Sequence, residues 1–372
     1  MQLEILTCER IKDKYLVTIK DNPFYIDGKG GQLGDRGTIG GLEILEVTEK
    51  GIILSDSLKC GSQDYNICSG RKLYIEENHT GQHLFSAVAY NDFSLNTVSF
   101  RMGEEHTSVD LDSQEINPEI AKSLEEKINE IIKSAIPLKI YTLSHEDAIQ
   151  KEGLRRQIKE KVTGDVRFVE IPEVDISACA GYHVENTKDI RLLKILYWEK
   201  IKGECTRFYF IAGHKALEDY NFKHKTIRDL SHVFSSKEDE IIQMVGKVLE
   251  DKKNTESQLK NLSIKYAELL SQELLKNPLK FGEINVIFYD EDKTLSSFFS
   301  RTINLDEYLL ITGGDELYSV MSNIVNCKEL LKFVISRLPS LKGGGSETKG
   351  NLKGEVKKEE LLETIRLYFE NN

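Results

Sequence analysis

The sequence predicts an α+β fold in several pieces, and three observations predict it. The first 75 residues run in short alternating segments cut by glycine, strands and helices then follow without a βαβ rhythm, and a heptad-like stretch of about forty residues begins at Ser236. The expected order is a small N-terminal β-barrel over 1–75, an α+β domain with helices on one face of a sheet over 76–235, a helical arm over 236–278, and a small C-terminal α/β domain over 279–372. With 372 residues, 40% of them hydrophobic and 30% charged, the chain has room for two or three domains of about 150 residues.

In the barrel segment, Tyr15–Ile19, Leu42–Val47 and Gly51–Leu54 read as strands separated by turn signals. The pattern changes at Glu76, where Asn78 is expected to cap a helix carrying His79, His83, Leu84 and Val88. A strand at Thr97–Met102 precedes a well-marked helix. Asn117 is its N-cap, Pro118 opens its first turn, and Ile120, Leu124, Ile128 and Ile131 form one stripe. Val166–Ile171 is strand-like, and Leu193–Lys200 with Thr206–Ala212 flank IKGE as a hairpin.

Beyond Ser236, Ile241, Val245, Val248, Leu259, Leu262, Tyr266 and Leu269 fit a/d positions, interrupted by Lys252 and Thr255. One long helix or a hairpin hinged near Asn254 explains them, with Pro278 as the stop. Strand-like Ile284–Tyr289, Tyr308–Thr312 and Leu331–Ser336 follow, then a glycine-rich loop over Gly343–Gly354 and a helix from Lys358.

Fifty Lys plus Arg against 61 Asp plus Glu give a formal charge of -11, which excludes coating nucleic acid by bulk charge but allows a local basic groove. No apolar run approaches the ~20 residues needed to span a bilayer. Met1 opens into MQLEILTCER, without a basic and then apolar leader. Cys8, Cys60, Cys68, Cys205 and Cys327 are therefore read as reduced thiols in a soluble, cytoplasmic protein.

The residues with chemistry begin with His79 and His83, whose four-residue spacing on a helix aims both imidazoles from one face. Thr80 stands where a zincin motif needs its general-base Glu, so that signature is absent. Cys179 and His183 repeat the spacing in ISACAGYHV, with Gly181 permitting a tight turn. Together the four suit the tetrahedral N/S preference of Zn²⁺; alternatively Cys179 is a small buried hydrophobe and His183 a core histidine. The run GKGGQLGDRG lacks the spacing of a dinucleotide or P-loop motif and reads as a barrel turn or as backbone close to a ligand site. The C-terminal glycines carry Lys342, Lys349 and Lys353, an ordinary loop or a follower of phosphate backbone.

HTGQH at 79–83 with CAGYHV at 179–184 resembles the zinc-binding pairs of the alanyl-tRNA synthetase editing domain and of the free-standing AlaX editing proteins. NPFYIDGKGGQLGDRG at 22–37 is similar to the TPFYxxxGGQxGDxG segment of that family's barrel. Thr187 and Ile190 match its CGGTHVxxTGxIG, where Lys188 and Arg191 replace glycines. The stretch after Ser236 and GGGSETKGNLKG resemble the coiled-coil arm and the DHH-associated domain that end the synthetase. The resemblance covers almost the whole chain but includes no aminoacylation core and no ATP-binding region.

It implies a trans-editing hydrolase that deacylates tRNA(Ala) mischarged with serine or glycine. It also implies one Zn²⁺ per chain on His79, His83, Cys179 and His183. Relatives often carry Thr where Gln82 stands, so Gln82, Thr80 and Thr187 are the pocket candidates, with no catalytic base named. Lys342, Lys349, Lys353, Arg155 and Arg156 are the expected tRNA contacts, and a homodimer through the arm or the C-terminal domain is expected. A zinc-stabilised tRNA-binding module without hydrolysis, or editing of another mischarged tRNA, are the competing readings.

Overall fold

The computed structural model describes residues 1–158, 163–314 and 316–370 and divides into two compact units, Met1–Asp229 and Leu230–Asn372. The first unit opens with a closed six-stranded barrel. Its strands are β1 (Gln2–Ile11), β2 (Lys14–Ile19), β3 (Gly37–Ile39), β4 (Leu42–Thr48), β5 (Gly51–Leu54) and β6 (Gly61–Ile67), in the order β1-β2-β5-β4-β3-β6. Alternate residues such as Leu3, Ile5, Val17, Ile44 and Ile52 fill it.

Helix α1 (Ser69–Phe93) follows, then β7 (Thr97–Met102), β8 (Thr107–Leu111), α2 (Pro118–Lys133), β9 (Lys139–Leu143), the short α3 (His145–Ile149), β10 (Val166–Ile171), β11 (Asp175–Ala178), β12 (Leu193–Ile201) and β13 (Cys205–Ala212). The sheet β12-β13-β8-β7 is antiparallel, and β11-β10-β9 forms a second, three-stranded sheet. Helices α1 and α2 contribute Leu84, Phe85, Leu124 and Ile128 to a core shared with Phe208 and Phe210 of β13. Asn117 caps α2 by accepting from the Ile120 amide, as its sequence requires.

Asn78 does not cap α1. The helix begins nine residues earlier, at Ser69, behind Cys68, which makes no side-chain cap bond. Residues 77–89 are buried whatever their polarity, so the helix shows no amphipathic stripe to announce its start. Asn78 instead donates to the Tyr74 carbonyl and accepts from the Ala212 amide.

Helix α4 (His214–Phe234) was not foreseen, because only Ala216 on it is buried and no apolar face marks it. The helix α5 (Ile241–Lys276) runs unbroken through Asn254, so the hinge is absent and the helix starts five residues after Ser236.

Then come β14 (Leu279–Phe281), β15 (Ile284–Tyr289), α6 (Lys293–Thr302), β16 (Tyr308–Gly314), β17 (Leu317–Met321), α7 (Cys327–Arg337), β18 (Lys342–Gly345), β19 (Lys349–Lys353) and α8 (Lys358–Glu370). Leu331–Ser336 is helical rather than extended: Asn326 caps α7, which buries Leu330, Leu331 and Val334 on one face. The expected glycine-rich loop is a hairpin, with Lys342 opposite Lys353. A Cβ at Gly343 would strike the Asn351 carbonyl, which is why glycine suits so tight a pair of strands. Among the described residues, no helix is long and apolar enough to cross a membrane.

Candidate metal centre

Helix α1 aims His79 and His83 inward from successive turns, with ring centroids 5.4 Å apart. The turn after β11 brings Cys179 and His183 to them. One donor atom from each of the four lies within 4.8 Å of the others. The Cys179 Sγ is 3.5 Å from His79 Nε2 and 3.3 Å from His183 Nε2. A tetrahedral ion with zinc-like bond lengths separates S and N ligands by about 3.5 Å, so these donors already stand at the right spacing.

The remaining ring nitrogens are also engaged. His79 Nδ1 lies 2.8 Å from Gln32 Oε1, His83 Nδ1 3.0 Å from Asp175 Oδ2, and His183 Nδ1 3.1 Å from Thr80 Oγ1. Each acceptor is itself fixed. Gln32 Oε1 takes the Tyr182 amide, Thr80 takes the Val184 amide while donating to the Glu76 carbonyl, and Asp175 takes Arg155 and Ser177. With each Nδ1–H donated outward, all three Nε2 lone pairs are left for an ion, an arrangement usual around metal-bound imidazoles.

Burial raises the Cys179 thiol, but the neighbouring His183, His79 and His83 outweigh it and bring the group down to about 2. Burial opposes charge on His83, yet Asp175 and Cys179 beside it raise it to about 9. Burial lowers His79 and takes His183 down to about 3. Asp175 is held at about 2: desolvation raises it, and His83 and Arg155 more than compensate. The cluster therefore pairs a thiolate with one imidazolium and two neutral imidazoles, one proton more than the Cys⁻His₃ state that binds metal.

The backbone fits closely around these groups. Gly181 is needed for space rather than for a turn, because a Cβ there would collide with the His79 ring and Gln32. Arg167 Nη1 donates to the carbonyls of Cys179 (2.7 Å) and Gly181 (2.9 Å), which sets the turn. His79, His83 and Cys179 line one wall of a cavity of ≈ 320 Å³, facing Gln82, Phe100 and Arg156.

All four proposed ligands are thus brought together, and Gln82 reaches the same cavity with its Nε2 donating to Ser86 Oγ at 2.8 Å. Thr80 sits behind His183. Thr187 is elsewhere: its hydroxyl donates to the Ile131 carbonyl and accepts the Ile136 amide, tying the end of α2 to the following turn. Arg155 and Arg156 line the cavity, but Arg155 is ion-paired to the buried Asp175 at 2.7 Å and Arg156 donates to the Thr97 carbonyl. Lys342, Lys349 and Lys353 are exposed on the β18–β19 hairpin. Sequence reasoning missed Gln32, Asp175 and Arg167. Gln32 had a signal, since it lies in the glycine run read as backbone near a ligand site.

A family model described as the threonyl and alanyl tRNA synthetase second additional domain matches residues 166–209. Aarsd1 of Danio rerio, an alanyl-tRNA editing protein, is 27% identical over 347 residues, covering 91% of this chain and 84% of that protein. The alanyl-tRNA editing protein AlaX-L of Pyrococcus horikoshii is 26% identical over 402 residues, covering 99% and 96%. The chain is a relative of the alanyl-tRNA editing proteins. This editing-protein relative is also 28% identical over 368 residues to the alanine–tRNA ligase of Methanococcus maripaludis, spanning 95% of itself but 41% of the ligase. The segment matched by the family model contains Cys179 and His183, whereas His79 and His83 precede it.

Proposed function

We propose that the chain is an aminoacyl-tRNA deacylase acting in trans on tRNA(Ala) mischarged with serine or glycine, in a pocket organised by one Zn²⁺ held by His79, His83, Cys179 and His183. The observation that carries the reading is the Cys/His₃ cluster, three of whose members line the ≈ 320 Å³ cavity, with every imidazole oriented from behind. A zinc ion bound by all four donors has no open position, so it would supply local order and positive charge at the pocket wall.

The chain's own residues supply the rest. Gln82 has its amide nitrogen held by Ser86, which also accepts from Thr97 Oγ1 at 2.7 Å. Its carbonyl oxygen has no partner among the described residues and can then accept a hydroxyl from the substrate's side chain. A hydrophobic synthesis pocket rejects an added hydroxyl only about 100-fold, and a second pocket that binds that hydroxyl removes the errors. Phe100 lies flat against His79, with centroids 5.5 Å apart, and keeps water from that side of the ring.

In this reading the segments 1–75, 76–235, 236–278 and 279–372 are barrel, editing domain, arm and DHH-associated domain of a cytoplasmic enzyme. Lys342, Lys349 and Lys353 meet the tRNA. Arg155 and Arg156 act from the pocket wall, nearer the tRNA's 3′ end. Exposed apolar residues on α5, including Leu259, Leu262 and Leu269, support a homodimer through the arm.

Deacylation of seryl- and glycyl-tRNA(Ala), with alanyl-tRNA(Ala) and seryl-tRNA(Ser) alongside, tests the reading. Multiple-turnover loss of serine or glycine from tRNA(Ala) alone is expected. The closed four-donor set favours one second reading, a zinc-stabilised tRNA-binding module; zinc-loaded protein that binds tRNA(Ala) without turnover would establish it.

A further inference from the structure

A second cavity of ≈ 640 Å³ in the first unit is lined by Arg71, Arg191, Lys215, His214, Glu77 and Glu104. Two helices begin at it: Gly70 and Arg71 lie in the first turn of α1, and His214 and Lys215 in that of α4. Helix N-termini carry partial positive charge and free amide donors. Arg71 is spoken for by a bidentate pair with Glu104, at 2.8 Å on each arm, His214 lies 3.3 Å from Glu218, and Lys215 lies 3.4 Å from Glu105. Arg191 differs. It is exposed, and among the described residues its guanidinium makes no hydrogen bond or ion pair.

The backbone at Arg191 is held in a conformation that arginine avoids. Its φ of 64° and ψ of -58°, with the Leu192 amide donating to the Ile190 carbonyl at 2.7 Å, describe a γ-turn of the rare, strained hand. Glycine would adopt it without strain. The floor holds another unmet demand. Glu77 is fully buried, its Oε2 accepts the His214 amide at 3.0 Å, and its Oε1 has no partner among the described residues. The cavity thus offers a guanidinium without a hydrogen bond or ion pair among the described residues, whose charge also bears on the buried Glu77.

We propose that this cavity binds a nucleotide unit of RNA, its phosphate on Arg191 and its ribose hydroxyl donating to Glu77. The proposal rests on the tRNA reading above only for the source of that nucleotide. Arg191 is then a contact to phosphate, and a 2′-hydroxyl is what gives Glu77 its missing donor.

The test is equilibrium binding of deacylated tRNA(Ala) to the full-length protein between about 50 and 200 mM salt, for wild type, R191G and R191K. R191G is expected to bind about tenfold more weakly at low salt, with a slope of log K against log salt shallower by about 0.7–0.9. R191K should keep most of the affinity. R191G should melt at or above the wild-type temperature, because it relieves the γ-turn, so weaker binding would not reflect misfolding. AMP should compete for the site in wild type, and 2′-deoxy-AMP less well.

Equal tRNA affinity and equal salt slope for wild type and R191G would overturn the proposal. If wild type binds no tRNA, the tRNA reading falls instead, and AMP binding that R191G abolishes would still establish the nucleotide site. Absence of any Arg191-dependent AMP or tRNA binding removes it.

Discussion

Helix α1 buries Glu77, Asn78, His79, Thr80, Gln82, His83 and Ser86, while α5 leaves Ile242 82%, Leu259 62%, Leu262 65% and Leu269 63% exposed. The two helices reverse the usual rule in opposite directions. In α1 the polar groups are tolerated because nearly all have partners: a buried donor or acceptor left unpaired costs about 1–3 kcal/mol, and the imidazoles, Thr80, Gln82 and Asn78 each have one. In α5 the apolar side chains have no such justification within the chain. Exposed apolar area is worth roughly 25 cal/mol per Å² once covered, so this stripe is where the proposed dimer would gain its stability.

The sharpest way to break this comparison is Cys179→Ala, which removes the thiolate on which the histidines converge. Zinc affinity should fall by more than about a hundredfold, beyond what loss of an outer partner costs. Metal content per chain and deacylation of seryl-tRNA(Ala) should fall together. A variant that loses metal but deacylates at the wild-type rate would reduce the cluster to a stabilising role.

Asp175→Asn should cost about 10–100-fold in zinc affinity, because the amide is a poorer acceptor for His83 and cannot pair with Arg155. Chelator competition measures it. Unchanged affinity would mean that His83 is oriented by packing alone.

The effect of pH comes next. His83 is raised to about 9 in the metal-free protein and must lose its proton to bind an ion. Zinc affinity should therefore rise about tenfold per pH unit below that value. Stability obeys the opposite sign without metal. The His83–Asp175 pair contributes fully below the unfolded histidine value near 6.5, and that contribution disappears as pH rises through about 9. Cys179, brought from its ordinary value near 9 down to about 2, gains stability over the same window, so melts of metal-free protein should stay nearly flat, and a steep decline would mean that Cys179 remains a thiol.

The smallest effect belongs to α5. Leu262→Lys should change the melting of each chain by no more than about 0.5 kcal/mol, as for other exposed sites, yet shift sedimentation from dimer to monomer. A wild-type chain that sediments as a monomer would leave the apolar stripe without its partner and remove that half of the comparison.

The barrel motif, the α2 helix and the Leu193–Ala212 hairpin were legible because each follows a local rule: alternation, an Asn-Pro start, or a tight turn between β-rich runs. Helices α1 and α4 were not. One is buried all round and the other scarcely buried at all, and periodicity speaks only when a helix has one wet face and one dry face. The same limit explains why Leu331–Ser336 looked extended, since a short apolar run reads alike in a strand and a buried helix.

At the centre, the sequence by itself singled out His79, His83, Cys179 and His183, because paired spacing of four residues is a local property that survives without a fold. It also determined that Gln82 stands beside them. Only the tertiary structure decided how they are held. Asp175 lies 92 residues from His83 and Gln32 lies 47 from His79. Arg155 turned from a surface cation into the partner of a buried carboxylate, and Thr187 was drawn away to fasten α2. Hydrogen bonds between such distant residues depend on strand register and on the turn at Gly181, and these are fixed only when the whole core closes.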